Sequence, residues 1–292
     1  MIMKRTIGEV IFDTANVIFL IVLTIACTYP LLYVIFASLS DGNKLLAHTG
    51  MLFGPLGFNL AAYQKVLANP DIRTGYMNTI FIVTVGVTLN LIMTSFGAYV
   101  LSRKGVYFNA FLTKFIVFTM FFSGGLIPLY LTVKGVGLMD SIWALIIPGL
   151  VSTFNLIIMR TSFAAIPDSL EESARIDGAN DFTILFKIIL PLSKPVIAVM
   201  ILYYGVGHWN SWFNAMIYIR TRSLFPLQLI LREILITSST DMAGSASADN
   251  VASISESIKY ATIMVATIPI LLIYPFLQKY FVKGVMIGAV KG

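Results

Sequence analysis

Histidine, cysteine and charge are all scarce in this chain, and each scarcity removes a class of chemistry. Its two histidines, His48 and His208, are far apart in sequence and no His-Glu-x-x-His pair occurs, so nothing supports a metal centre. Each reads first as a polar packing or interface residue. Cys27 is the only cysteine, which rules out an intrachain disulfide; inside an apolar run it reads as a small packing residue. No Gly-Lys dipeptide exists, so the P-loop that wraps nucleotide phosphates is missing, and ATP hydrolysis by that route is not expected of this chain. No internal repeat or low-complexity tract divides it.

What is abundant is apolar surface. Of 292 residues, 58% are hydrophobic and 12% charged, a balance that would cover a soluble domain in apolar patches. The formal charge of +6 sits between apolar runs, where Lys and Arg act as topology signals and headgroup partners rather than as a nucleic-acid surface. Hydropathy predicts about six spans of bilayer-crossing length, at roughly 14–38, 75–101, 111–133, 141–160, 188–216 and 258–282. The first is too long for a signal peptide, has no small-residue cleavage site, and is expected to stay as an anchor. With the N-terminus inside, most basic residues fall on cytoplasmic segments, among them Lys4, Arg5, Arg103, Lys104, Arg160, Arg175, Lys187, Lys279 and Lys283. Both termini and the loop 161–187 are then cytoplasmic. Residues 40–74 and 217–257 form outer segments, with a short helix near 226–236 and a mobile loop over Ser238–Asn250.

The loop 161–187 has its own logic. Pro167-Asp168 breaks the preceding helix, Ser169-x-x-Glu172 matches a capping box that would start another, and Asp177-Gly178 supplies a turn. A second helix, from about Asn180 to Leu190, would precede Pro191 and Pro195. Glu171, Glu172, Arg175 and Asp177 are left available for polar docking.

The spacing from Glu172 onward, Glu-Ser-Ala, three residues, Gly178, nine residues, then Ile188-x-Leu190-Pro191, resembles the EAA loop of binding-protein-dependent ABC importers, with Ser173 in place of the usual alanine. Phe122–Pro128, Ile166–Ala179, Ile189–Pro195, Gln278–Gly284 and Gly288–Gly292 are similar to the carbohydrate-uptake branch, in particular to permeases for complex oligosaccharides such as pectin fragments and alginate. The resemblance covers about residues 10–292. It implies an all-α membrane protein of about six transmembrane helices with the type I ABC importer permease fold, in the cell membrane of a prokaryote. Residues 1–73 would be an anchor helix with the first outer segment, 74–283 the permease core, and 284–292 a cytoplasmic tail. The partners implied are a second homologous permease, two ATPase subunits (or a homodimer), an extracytoplasmic solute-binding protein, a carbohydrate and the lipid bilayer. No cofactor is expected on this chain; ATP and Mg belong to the ATPase subunits. Glu171, Glu172, Ser173, Ala174, Arg175, Asp177 and Gly178 would form the ATPase-coupling site, and the Ser238–Asn250 loop would meet the binding protein.

Sugars favour aromatic faces and amides that match hydroxyl groups, and Tyr203, Tyr204, Trp209, Asn210, Trp212 and Asn214 concentrate both around the outer half of the fifth span. Asn90, Thr94 and Asn155 add polar positions in other spans. Aromatics at this depth also form interfacial belts or pack between helices, so the substrate pathway through Asn90, Asn155, Tyr203, Tyr204, Trp209, Asn210 and Trp212 stands beside a packing reading. An ion-coupled secondary transporter would exploit charges near mid-membrane, and the span centres hold no Asp, Glu, Lys or Arg. An ABC permease for a non-sugar solute is the other alternative.

The orientation has a direct check. Cysteines introduced at Asp41 and Ser245 should react with a membrane-impermeant thiol reagent in intact cells, whereas one at Ala179 should not; the reverse pattern contradicts the charge asymmetry.

Overall fold

The computed structural model describes residues 6–244, 256–273 and 275. Helices dominate, and the one β-bridge among these residues pairs Ser40 with Phe58. The described residues fall into two compact units, one from Met1–Asn69 with Glu233–Thr267 and one from Pro70–Arg232 with Ile268–Gly292.

In the first unit, α1 (Ile7–Ser38) begins with a capping box: the Thr6 hydroxyl accepts the Glu9 amide and the Glu9 carboxylate accepts the Thr6 amide at 2.9 Å. Among the described residues nothing covers its most apolar stretch, a surface suited to lipid. Pro30 lies within the helix without ending it. Then come α2 (Gly42–Ala47), capped by Asp41 on the amides of Asn43 and Lys44, and α3 (Ala61–Ala68). Ala37, Leu45 and Leu52 make a small core with Tyr33, Phe36, Leu56 and Tyr260.

The second unit is built on α4 (Pro70–Ser102), an unbroken helix of 33 residues. After it come α5 (Asn109–Phe121), α6 (Leu126–Gly135), α7 (Trp143–Ile146) with a 3-10 turn to Gly149, and α8 (Thr153–Ala164). They are followed by α9 (Asp168–Ile176), α10 (Asp181–Ile184), a π-helical turn over Leu185–Ile189, α11 (Leu190–Leu192) and α12 (Lys194–Trp209). The last elements are α13 (Phe213–Tyr218), a 3-10 turn at Arg222–Leu224, α14 (Leu227–Gly244) and α15 (Glu256–Ile273), of which residues 233–244 and 256–267 belong to the first unit.

Three of the expected spans are single helices, α1, α4 and α15; the other three are bent. The stretch expected as one helix over 111–133 turns by 112° at Phe122-Ser-Gly-Gly125, where Gly125 takes φ +84°. The stretch over 141–160 bends by 50° at residues 150–152. The span expected to start at residue 188 starts at Lys194 instead, after an 86° bend, and stops at Trp209 before α13. Hydropathy windows average over a few glycines or a Ser-Lys-Pro corner and therefore join what the backbone separates. The short helix expected near 226–236 continues to Gly244, so the first residues of the expected Ser238–Asn250 loop are helical; 245–250 and the tail from 276 lie outside the described residues.

Side chains near the start of α4 organise one end of this unit. Asn78 donates to the carbonyls of Ser223 and Phe225, and the buried Thr79 hydroxyl accepts the Leu227 amide at 2.8 Å, satisfying a donor at the start of α14. Asp140, at φ +55°, accepts the Thr221 hydroxyl and the amides of Arg220 and Thr221, which hold its carboxyl below the usual range. The closest approach is at Gly75, where a Cβ would stand 2.6 Å from the Ile230 side chain and 3.0 Å from the Leu227 Cα. Gly75→Ala should therefore destabilise the protein by about 1–3 kcal/mol, the usual cost of overpacking. Gly135→Ala, whose Cβ would meet nothing within 4 Å, should leave the unfolding midpoint in nanodiscs unchanged. Equal midpoints for both variants would refute this packing account.

Candidate functional site

The segment after α8 is a helix-turn-helix that leads by a sharp bend into α12. Its first helix does not use the capping box expected at Ser169-x-x-Glu172: α9 begins at Asp168, Pro167 stands at the N-cap with ψ 131°, and Ser169 lies within the first turn. Pro167 places the helix start two residues earlier by fixing its own φ, and no side chain caps it.

The end of α9 is a Schellman turn. Gly178 takes φ +82°, its amide donates to the Arg175 carbonyl at 3.0 Å, and the Ala179 amide donates to Ala174 at 2.9 Å. A Cβ on Gly178 would meet nothing within 4 Å, so the position demands glycine for its backbone angle and not for space. Asn180 then caps the second helix by accepting the Thr183 amide. That helix runs on to Leu192, beyond the end expected near Leu190. Pro191 is accommodated inside it because the preceding turn is widened to π geometry, with the Leu190 amide reaching back to Leu185.

Two kinds of contact fix this segment to the bundle. From the second helix, Ile184, Leu185 and Ile189 are buried in a core with Ala98, Leu101, Met159 and Phe163, and Phe182 and Phe186 meet the ring of Phe96 edge-on. From the first helix the contact is ionic. Arg103, just past the end of α4, pairs with Glu171 at 2.5 Å, and the two side chains are only 13% and 12% exposed. The same guanidinium donates to the Phe163 carbonyl at the end of α8. Arg175 bridges Glu171 and Asp181, tying the two helices of the segment together, and the Tyr99 hydroxyl donates to both carboxylates. These carboxylates hold Arg175 firmly protonated, chiefly through its hydrogen bond to Glu171. At the rim, Lys104 donates to Asp168 at 2.7 Å; this bond lowers the carboxyl pKa and raises that of the ammonium. The groups enclose an open basin of about 540 Å³.

Of the seven residues expected at this site, Glu171 is engaged with the bundle, Arg175 ties α9 to α10 and Ala174 packs against the core, while Glu172, Ser173, Asp177 and Gly178 are exposed. Ile176, 87% exposed, joins Ser169 and Ser173 on the outward stripe of α9. Sequence reasoning missed Tyr99, Arg103 and Asp181. The Arg103-Lys104 pair at the end of an apolar span was a visible signal, read only as a mark of orientation.

The aromatic and amide residues expected along a substrate path do not gather in one pocket. Asn90 is fully buried and donates to the carbonyls of Gly149 and Leu150 at 2.8 Å, while its oxygen faces His208 at 2.7 Å. The Tyr204 hydroxyl meets Thr94 and accepts the Ser152 amide. Asn155 is buried in the first turn of α8. Trp209 packs edge-on to Tyr76 and lines an apolar groove of about 640 Å³ with Val87, Leu91 and Val206. Tyr203 lies near Phe154, Trp212 carries the Arg232 guanidinium 4.1 Å above its ring, and Asn210 is exposed at the end of α12.

No family model matches the chain. It is 42% identical over 287 residues to the polygalacturonan/rhamnogalacturonan transport system permease protein YtcP of Bacillus subtilis (strain 168), covering 97% of this chain and 99% of that one. It is 41% identical over 290 residues to protein LplC of the same organism, covering 99% and 98%. Among solved structures, it matches a chain of a bacterial ABC transporter involved in the import of the acidic polysaccharide alginate, with TM-score 0.85, 32% identity and coverage of 95% and 99%. The helix-turn-helix, the three long apolar helices and three bent pairs of bilayer-crossing composition, and these matches converge: the chain belongs to the membrane-spanning permease subunits of ABC importers.

Proposed function

We propose that this permease imports an oligosaccharide handed to it by an extracytoplasmic solute-binding protein, driven by ATP hydrolysis on two ATPase subunits, and that it works beside a second, homologous permease. The observation that carries the reading is the α9–α11 segment, whose outward stripe is free while its inner face is pinned to the bundle. With both termini cytoplasmic, that stripe faces the ATPase. Glu172, Ser173 and Ile176 form the docking surface, Asp177 and Gly178 shape its edge, and Glu171, Ala174 and Arg175 hold the surface in place. ATP and Mg reside on the ATPase, and this chain contributes no catalytic group. The sugar assignment rests on the relatives named for polygalacturonan/rhamnogalacturonan, arabinooligosaccharides and galactooligosaccharides and on the alginate importer. Tyr203, Asn210, Trp209 and Trp212 are the candidates for the pathway, since the polar atoms of Asn90 and Tyr204 are committed to other helices. The segment 238–250 is the contact for the binding protein.

ATP closes the motor dimer, α9–α11 moves as a lever, and the bundle alternates between inward-facing and outward-facing states. Glu172→Lys reverses a docking charge, and Gly178→Val forces a β-branched residue to positive φ at a cost of roughly 1–2 kcal/mol. Both variants should insert normally but lose ATPase subunits on purification. Proteoliposomes of the wild-type assembly should take up labelled oligosaccharide only with ATP. Full ATPase retention in both variants removes the docking site, and uptake driven by an ion gradient alone, or of non-sugar solutes alone, removes the transport assignment.

A further inference from the structure

The break between α7 and α8 leaves the Gly149 and Leu150 carbonyls and the Ser152 amide without helical partners, and inside a membrane such groups must find others. They find them on two neighbouring helices. Asn90 of α4 donates both hydrogens of its amide to the carbonyls of Gly149 and Leu150, each at 2.8 Å. Tyr204 of α12 accepts the Ser152 amide at 3.1 Å. Each clamp is itself held: the Asn90 oxygen by His208 Nε2 at 2.7 Å, the Tyr204 hydroxyl by Thr94 at 2.7 Å. Because both Asn90 hydrogens are spent on carbonyls, its oxygen must face His208, and the imidazole therefore carries its proton on Nε2.

The residues repeat at helical spacing. Gly86, Asn90 and Thr94 lie four apart on one face of α4, and Tyr204 and His208 lie four apart on α12. Gly86 belongs to the arrangement because a Cβ there would stand 2.7 Å from His208 Nε2. Two polar rungs thus join three helices at the bend of the middle one.

Both ends of the lever converge on this point. The lower half of the broken span, α8, continues into α9 through residues 165–167 and is fastened to the end of α4 by Arg160, which donates to the Leu101 carbonyl at 2.9 Å. At the other end of the segment, α12 follows directly from α11 through the 86° bend. Any displacement of α9–α11 is therefore delivered to α8 and to α12 together, and these two helices meet again at the clamped break. The upper half, α7, packs with Ile82, Val133, Ala215 and Tyr218 in a separate core.

We propose that residues 150–152 are the hinge through which movement of the α9–α11 segment reaches the outer half of this unit, and that Asn90 and Tyr204 are positioning residues that set its angle. They touch the backbone at the bend and need not touch cargo. Removing either clamp leaves the break with unpaired polar groups and a wider range of angles, so hydrolysis proceeds without delivering a full stroke.

The test uses the complete transporter in nanodiscs with Cys27 replaced by serine and spin labels at Trp143 and Thr161, two exposed positions on opposite sides of the break. Tyr204→Phe deletes one oxygen and keeps the ring. The proposal expects its inter-label distance distribution to widen about twofold, with oligosaccharide moved per ATP falling at least threefold while binding-protein-stimulated hydrolysis persists. Thr94→Val removes a bond to Tyr204 without exposing the break and should keep the narrow distribution. Asn90→Leu should widen it as Tyr204→Phe does; if that variant does not assemble, Tyr204→Phe and Thr94→Val decide the matter alone. An unchanged distribution in Tyr204→Phe overturns the proposal, whether the variant is only less stable or has altered preference among oligosaccharides, as a residue contacting cargo would. Equal widening in Thr94→Val also overturns it, because the bonds would then be general packing.

Discussion

The Arg103–Glu171 pair is the point on which the functional geometry depends. Glu171 lies in the first turn of a nine-residue helix, too short to hold a defined orientation by itself. Arg103 supplies that orientation. It reaches Glu171 with one nitrogen and the Phe163 carbonyl with another, so the ends of α4 and α8 and the start of α9 share one cation. Buried ion pairs add little net stability against an apolar alternative, but losing one partner costs about 3–5 kcal/mol. The pair therefore specifies a position more than it raises stability. The exposed Lys104–Asp168 bridge on the same basin is the weaker, solvent-screened kind.

The same economy appears within the membrane. A bent span exposes carbonyls and amides that lipid cannot satisfy, and the protein answers with amide and hydroxyl side chains from adjacent helices. Asn90 and Tyr204 serve this purpose at the α7–α8 break, and Thr79 and Asn78, near the start of α4, likewise satisfy backbone groups of residues 223–227. α4 carries three of these four and also ends at Arg103. One continuous helix thus orders the turn over residues 223–227, the α7–α8 break and, through Arg103, the start of α9.

Much of this was legible in the sequence and some could not be. The crossing segments follow from apolar runs, and the Glu172-to-Pro191 spacing marked the helix-turn-helix, including Gly178, whose positive φ a glycine after Asp177 foretold. The bends were not legible from hydropathy, because averaging hides a corner at Ser193 or residues 150–152. The capping box failed because Ser169-x-x-Glu172 is a local pattern, whereas Pro167 sets where α9 starts. Asn90 and Tyr204 were visible as polar residues in apolar helices, but whether such a group faces cargo or a broken backbone depends on helices far away in sequence. The four-residue spacing of Gly86, Asn90 and Thr94 was the available clue that they share one packed face.

The central claim is that Arg103 and Glu171 act as one unit that presents α9 to the ATPase without touching it. A double-mutant cycle on ATPase affinity tests this most directly. Arg103→Gln and Glu171→Gln should each weaken ATPase binding by about tenfold, and the double variant should lie within about threefold of either, because the second substitution removes an interaction already lost. A double variant about a hundredfold weaker, with the two effects multiplying, or two single variants that bind the ATPase as the wild type does, would contradict the account.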